Sequence, residues 1–228
     1  MPPKKVAIVN YGMGNLFSVK HACLAAGLFP WITDSPAEIS KADALILPGV
    51  GAFGEAMKIL NRLGLSTVIR EFVEMDKPVM GICLGMQLLM TRSFEFGKHE
   101  GLNIIEGEVV SLKEAFKPGE NFKVPHVTWN KNKTPEGKSW KGSMLDGMAN
   151  GQYMYFVHSY FVTPRDTHVV LSSTQYGGIV FCSSLQYKNV FACQYHPERS
   201  GPAGLKIYCN FANFIQQMSL GGEYVRAS

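Results

Sequence analysis

Cys83 stands between two glycines in Gly81-Ile82-Cys83-Leu84-Gly85, with an apolar strand-like run before it and an apolar helix-like run behind it. A side chain on such a strand-to-helix turn sits on strained backbone and projects from the carboxyl end of a sheet, while flanking glycines let neighbouring chain approach. The start of the following helix favours negative charge, which stabilises a thiolate and lowers the thiol pKa. The Leu84 N–H has no intrahelical partner there and is free to serve an oxyanion. Burial as an inert core thiol is the common fate of a free cysteine, and it is the expectation for Cys23, Cys182, Cys193 and Cys209. The paired glycines and the strand–helix context set Cys83 apart.

A thiol nucleophile needs a base, and the base needs an orienting group. His196-Pro197-Glu198 follows the apolar run VFACQY. Residues i and i+2 of an extended segment face the same way, so Glu198 can fix the His196 tautomer and support its imidazolium. Pro197 holds His196 extended. A third component is Pro48-Gly49-Val50-Gly51-Ala52-Phe53-Gly54. It directly follows a predicted strand, and its glycines either punctuate a turn or present an outward N–H as the second oxyanion donor.

The elements that must position these groups read as repeated strand–helix units in the first half. Strands are expected at 6–9, 29–33, 44–47 and 79–82, the third cut off by Pro48 and Gly49. Helices are expected over 15–27, ending at Gly27, then over about 55–75 and 84–92. Ser35 and Glu38 form an N-cap signal between them. Continuous apolar strands alternating with amphipathic segments imply a mostly parallel sheet with helices on both faces. After about residue 105 the chain becomes β-rich, with strands expected to pair antiparallel in hairpins or at the sheet edge. The polar stretch 131–151 reads as a surface excursion, and 202–219 as a closing helix with Leu205, Tyr208, Phe211 and Ile215 on one face. No linker divides the chain, so residues 1–228 are expected to be one domain.

Composition narrows the function classes. The 228 residues are 46% hydrophobic and 18% charged, enough apolar matter for a core and far from disorder. The net charge is +4, with 22 Lys and Arg scattered singly or in pairs, so no stripe suggests nucleic-acid binding. Five cysteines with no CxxC spacing argue against a disulfide framework or a zinc cluster and fit reduced thiols in the cytoplasm. The longest apolar run, 79–90, is too short to span a bilayer and is broken by Gly81, Gly85 and Gln87. Neither metal nor organic cofactor is called for.

GICLGMQLL with a downstream HPE resembles the class I, or triad, glutamine amidotransferases. NYGMGN at 10–15, LPGVGAFGEAM at 47–57, VPHVTWN at 124–130, YFVHSYF at 155–161 and HPERSG narrow the likeness to the glutaminase subunits of imidazole glycerol phosphate synthases. The resemblance runs from about residue 6 to 215. It implies a flavodoxin-like α/β fold and hydrolysis of glutamine through a γ-glutamyl thioester, with ammonia passed to a cyclase or synthase subunit in a heterodimer. Cys83 would be the nucleophile, His196 the general base and acid, and Glu198 the orienter. Val50, Gly51 and Leu84 would supply the oxyanion amides. Gly49, Gln87, Glu95, His158, Ser159 and Tyr160 match substrate-binding positions, and Asn15, Trp129 and Asn130 match the synthase interface. Val127-Thr128-Trp129 departs from the usual Met-Gly-Trp, which leaves the acceptor open between this pathway and paralogues serving amino-sugar amidation in surface polysaccharide synthesis. Two further classes share parts of the pattern: a peptidase or γ-glutamyl hydrolase with the same elbow, and a binding module that has kept the scaffold.

Overall fold

In a computed structural model, residues 3–117, 119 and 122–219 are described. The first half follows the strand–helix alternation. β1 (Lys5–Val9) leads into α1 (Leu16–Ala25), then β2 (Phe29–Thr33), α2 (Pro36–Ile39), β3 (Ala44–Gly49), α3 (Phe53–Arg62), α4 (Leu65–Glu74), β4 (Val79–Cys83) and α5 (Leu84–Leu88). Asn15 caps α1 by accepting from the Ser18 N–H, and Gly27 follows the helix at a φ of 77°, which only glycine adopts cheaply.

Three expectations are corrected here. β3 does not stop before Pro48 but runs through Gly49, pairing Pro48 with Ile82 and Gly49 with Cys83. Its other neighbour, β1, pairs only as far as Ile46, so proline's missing N–H breaks no ladder bond on that side. The single helix expected over 55–75 is two helices, because Gly64 takes a φ of 69° between them. The helix expected over 84–92 ends at Leu88, and β5 (Met90–Ser93) begins almost at once, because Met90 pairs with Ile105 in a second sheet. The cap signal at Ser35 is also modified. Ser35 occupies the N-cap without a side-chain cap bond, and Glu38 instead accepts the Thr33 hydroxyl.

The remaining elements are β6 (His99–Glu100), β7 (Ile105–Ser111), α6 (Leu112–Ala115), β8 (His126–Asn132), β9 (Gln152–His158), β10 (Tyr160–Pro164), β11 (Val170–Tyr176), β12 (Ile179–Tyr187), β13 (Val190–Cys193) and α7 (Gly201–Ser219). The main sheet has the order β11-β12-β13-β4-β3-β1-β2. It is parallel from β2 to β13, with β12 and β11 added antiparallel at one edge. A four-stranded sheet, β10-β7-β5-β6, and the antiparallel ribbon β8–β9 complete the fold. The α/β architecture with an antiparallel-rich second half is the one expected.

Alternation along the parallel strands divides the core. Ala7, Val9, Leu45 and Leu47 pack with the apolar faces of α3 and α4, where Phe53, Ala56 and Leu60 and then Leu65, Val68, Ile69 and Phe72 recur at helical spacing. Val6, Ile8, Ile46, Met80 and Ile82 face the other way, toward α1 and toward Tyr208, Phe211 and Ile215 of α7. The stretch 131–151 is not purely a surface excursion. Trp140, Met144 and Leu145 plug this second cluster, and the Trp140 indole N–H donates to the Leu171 carbonyl at 2.8 Å. Among the described residues no helix is long and apolar enough to cross a membrane.

Candidate active site

The register of three adjacent strands brings the chemistry to one edge. Gly49 lies beside Cys83 at the carboxyl ends of β3 and β4, and Ile82 lies beside Cys193 at the end of β13. The oxyanion loop, the cysteine and the His196 segment therefore leave the sheet side by side, where open α/β sheets have their crevices.

Cys83 has φ 54° and ψ −110°, a conformation L-residues avoid and functional turns retain. Its flanking glycines are required by packing. A Cβ on Gly85 would lie 1.8 Å from the Leu47 carbonyl oxygen, and one on Gly81 would crowd Leu89 and the Met86 amide at about 3 Å. The sulfur is nearly buried, 3.8 Å from the Val157 carbonyl, and accepts from Gln194 Nε2 at 3.5 Å.

His196 and Glu198 are buried together, with His196 Nδ1 2.8 Å from Glu198 Oε1. A 3-10 turn at Pro197–Arg199 folds the carboxylate back onto the ring. Burial opposes the imidazolium, yet the Cys83 charge and the Glu198 carboxylate outweigh that effect and raise His196 to about 10. Ser200 fastens the segment to β9, donating to the His196 carbonyl at 2.6 Å and accepting the Tyr155 N–H at 3.0 Å. The His196 N–H in turn donates to the Tyr155 carbonyl.

A cavity of about 230 Å³ opens beside the sulfur. Its size suits an amino acid better than a drug-sized ligand, for which sites begin near roughly 300 Å³. Of the oxyanion and substrate residues expected from sequence, all but Gly49 line it: Val50, Gly51 and Leu84 on one side, Gln87, Glu95, His158, Ser159 and Tyr160 around the rest. Gly49 sits one layer behind, where a Cβ would meet the Tyr11 hydroxyl at 2.2 Å and Leu84 at 2.9 Å. Its role is close packing beneath the loop. Gly51 has φ 111°, and among the described residues neither its N–H nor that of Val50 donates a hydrogen bond.

Gln87 is oriented by its surroundings. The Tyr160 carbonyl can only accept, so the Gln87 amide nitrogen must face it, at 3.0 Å. The same nitrogen donates to Gln194 Oε1 at 3.1 Å, which turns the Gln194 amide nitrogen toward Cys83. Glu95 lies on the loop after β5, where one carboxylate oxygen accepts the Phe53 N–H at the start of α3. Burial pushes the Glu95 carboxyl above the usual range, against the Phe53 N–H and the His99 charge.

The residues expected at a partner interface lie outside this cavity. Asn15 caps α1. Trp129, 49% exposed, lines a second hollow with Ser200 and Gly201, and Phe17, 71% exposed, lines a third that also reaches Gly201. Asn130 donates to the Gln175 carbonyl at 2.9 Å. Sequence reasoning missed Gln194, Val157 and Pro125. Gln194 lies just past the end of β13, and its contacts with Gln87 and Cys83 join segments far apart in the chain. Val157 and Pro125 arrive only through the pairing of β9 with β8 and the approach to it, which no local pattern encodes. Among the described residues no group of three or more His, Cys, Asp or Glu side chains is placed to hold a metal ion.

Comparison with known proteins places this geometry in context. The family described as glutamine amidotransferase class-I matches residues 7–214. The imidazole glycerol phosphate synthase subunit HisH of Aquifex aeolicus is 43% identical over 219 residues, covering 94% of this chain and 99% of that protein. The subunit of the same name from Caldanaerobacter subterraneus subsp. tengcongensis is 46% identical over 215 residues, covering 92% and 98%. Among solved structures, PurLQS from Thermotoga maritima superposes with a TM-score of 0.69 at 18% identity, covering 94% of this chain and 99% of that one. The glutaminase domain of CTPS from Trypanosoma brucei gives a TM-score of 0.61 at 16% identity, covering 97% of this chain and 96% of that one. At such low identity these two likenesses bear on the fold alone.

Proposed function

The chain belongs to the class-I glutamine amidotransferases, and from that premise we propose that it is the glutaminase subunit of an imidazole glycerol phosphate synthase, supplying ammonia for histidine biosynthesis. Relatives of that name at 43% and 46% identity along nearly their whole length favour this acceptor over the amino-sugar paralogue. The observation that carries the catalytic reading is the thiol on a strained turn, leaving the sheet beside the segment whose buried imidazole is held at Nδ1 by a buried carboxylate.

The Cys83 thiolate attacks the γ-carboxamide carbon of glutamine, and the tetrahedral oxyanion is met by the N–H groups of Leu84 and the Val50–Gly51 loop. His196 gives its proton to the leaving nitrogen, ammonia departs, and a thioester remains. Water then attacks with His196 as base, and glutamate leaves. Glu198 holds the ring in the tautomer both steps need. Within the cavity Glu95 meets the substrate α-ammonium, the backbone of His158, Ser159 and Tyr160 meets the α-carboxylate, and the oriented Gln87 carboxamide fixes the substrate between them. The synthase subunit docks over the half-exposed Trp129 and Val127, with Asn130 on the same strand and Asn15 at the head of α1 as further interface residues, in a cytoplasmic heterodimer, and takes the ammonia.

Product assay with glutamine, with and without the synthase subunit, tests this reading. Wild type should release glutamate and ammonia, slowly alone and faster with the partner, and an electrophilic glutamine analogue should label Cys83. Cys83→Ala should lose turnover while remaining folded; residual wild-type turnover would remove Cys83 as nucleophile.

A further inference from the structure

Two buried imidazoles lie in line at the pocket, His158 in its wall and His126 behind it with no assigned task. His126 opens β8 directly across from His158 on β9, and it is wholly buried. His126 Nδ1 is 2.9 Å from His158 Nε2, and His158 Nδ1 is 2.9 Å from the Tyr160 carbonyl oxygen. On the far side, Asn130 Nδ2 approaches His126 Nε2 at 3.3 Å.

The protons in this chain have one arrangement. A carbonyl oxygen only accepts, so His158 Nδ1 carries hydrogen. Burial, aided by His126, pulls His158 down to about 3, so the ring is neutral and its Nε2 is an acceptor. His126, lowered by burial to about 4, is neutral too and must donate from Nδ1. Its Nε2 then accepts from Asn130. Beyond Tyr160 the same carbonyl takes the Gln87 amide, which continues to Gln194 and the Cys83 sulfur. The His126 ring cannot drift, because Phe156 and Tyr176 stack on it with centroids at 5.1 and 4.0 Å.

We propose that His126 is a positioning residue for glutamine binding: its Nδ1 proton fixes the His158 tautomer, and through it the Tyr160 carbonyl and the Gln87 carboxamide that frame the substrate. This rests on the reading of 158–160 and Gln87 as the substrate-binding wall. Removing the donor leaves a buried imidazole nitrogen unsatisfied, and His158 regains a partner only by changing tautomer, which releases the Tyr160 carbonyl.

Steady-state glutaminase kinetics of the full chain in complex with its synthase subunit, on wild type, His126→Asn and His126→Gln, test the proposal. The Asn amide nitrogen falls near the position of Nδ1, whereas the Gln amide nitrogen falls near Nε2. His126→Gln should raise KM for glutamine about tenfold with kcat changed less than about threefold, and His126→Asn should restore KM. Equal KM in all three proteins overturns the proposal, as does a loss shared equally by both variants. Nitrogen-15 NMR of the wild-type chain gives a second reading that needs no variant: His158 should carry its proton on Nδ1, and a proton on Nε2 overturns the proposal. Should wild type itself neither turn over glutamine nor show protection of Cys83 by glutamine, the substrate-wall reading has failed instead, and the NMR result still judges the tautomer.

Discussion

Cys83 sets the terms at the scale of single residues. Its φ of 54° strains any residue with a Cβ. Cys83→Ala keeps that strain and Cys83→Gly relieves it, so the glycine variant should be the more stable by about 1 kcal/mol, seen as a melting temperature higher by roughly 2–4 °C. Equal melting temperatures would mean the turn is unstrained. His196 gives a prediction with a definite sign. With its pKa raised to about 10, it contributes stability that is whole below the unfolded value near 6.5 and is lost as pH climbs toward 10. The sulfur supplies much of that shift, so Cys83→Ala should lower the His196 titration midpoint by NMR; an unmoved midpoint would show that the sulfur does not couple to the ring. Cys83, His196 and Glu198 were legible in the sequence because each sits in a short local pattern, an elbow and an HPE triplet, although the pair is joined by a 3-10 turn and not by the extended i, i+2 geometry expected. Gln194 is equally near but not legible, because a carboxamide just after an apolar strand looks like ordinary core until its partners, Gln87 and Cys83, are known from the fold.

Elements carry a different kind of information. The interior parallel strands β3 and β4 were readable as apolar runs, since every residue in them is buried. Helix ends were less so. Gly64 splits the predicted 55–75 helix with a positive φ that the periodicity alone conceals, and α5 stops after Leu88 because Met90 is claimed by a strand fifteen residues on, at Ile105. That short helix is nonetheless rigidly seated. Gly85 lies so close to β3 that a methyl group would meet the Leu47 carbonyl at 1.8 Å. Backbone cannot yield there as a side-chain tip can. Gly85→Ala should therefore cost roughly 3 kcal/mol or more and lower the melting temperature by roughly 6–12 °C. Calorimetry showing a shift under 2 °C, a fraction of the loss set by roughly 3 kcal/mol, would mean that β3 and α5 separate easily.

At the scale of the whole molecule, the site joins parts of unequal stability. β4 lies between β3 and β13 with buried residues throughout, while among the described residues β8 pairs along its length with β9 alone and exposes Val127, Thr128 and Trp129. Native-state hydrogen exchange should find β4 amides opening only with global unfolding and β8 amides exchanging at least tenfold faster; equal protection would place the ribbon within the central cooperative unit. The pairing of β8 with β9, and the second sheet that takes β5, join segments far apart in the chain, and no periodicity in the sequence announces them. The ribbon has one more consequence. Because β9 meets the sulfur through the Val157 carbonyl while Val127, Thr128 and Trp129 of β8 face outward, those three positions can change without disturbing the groups that surround the thiol.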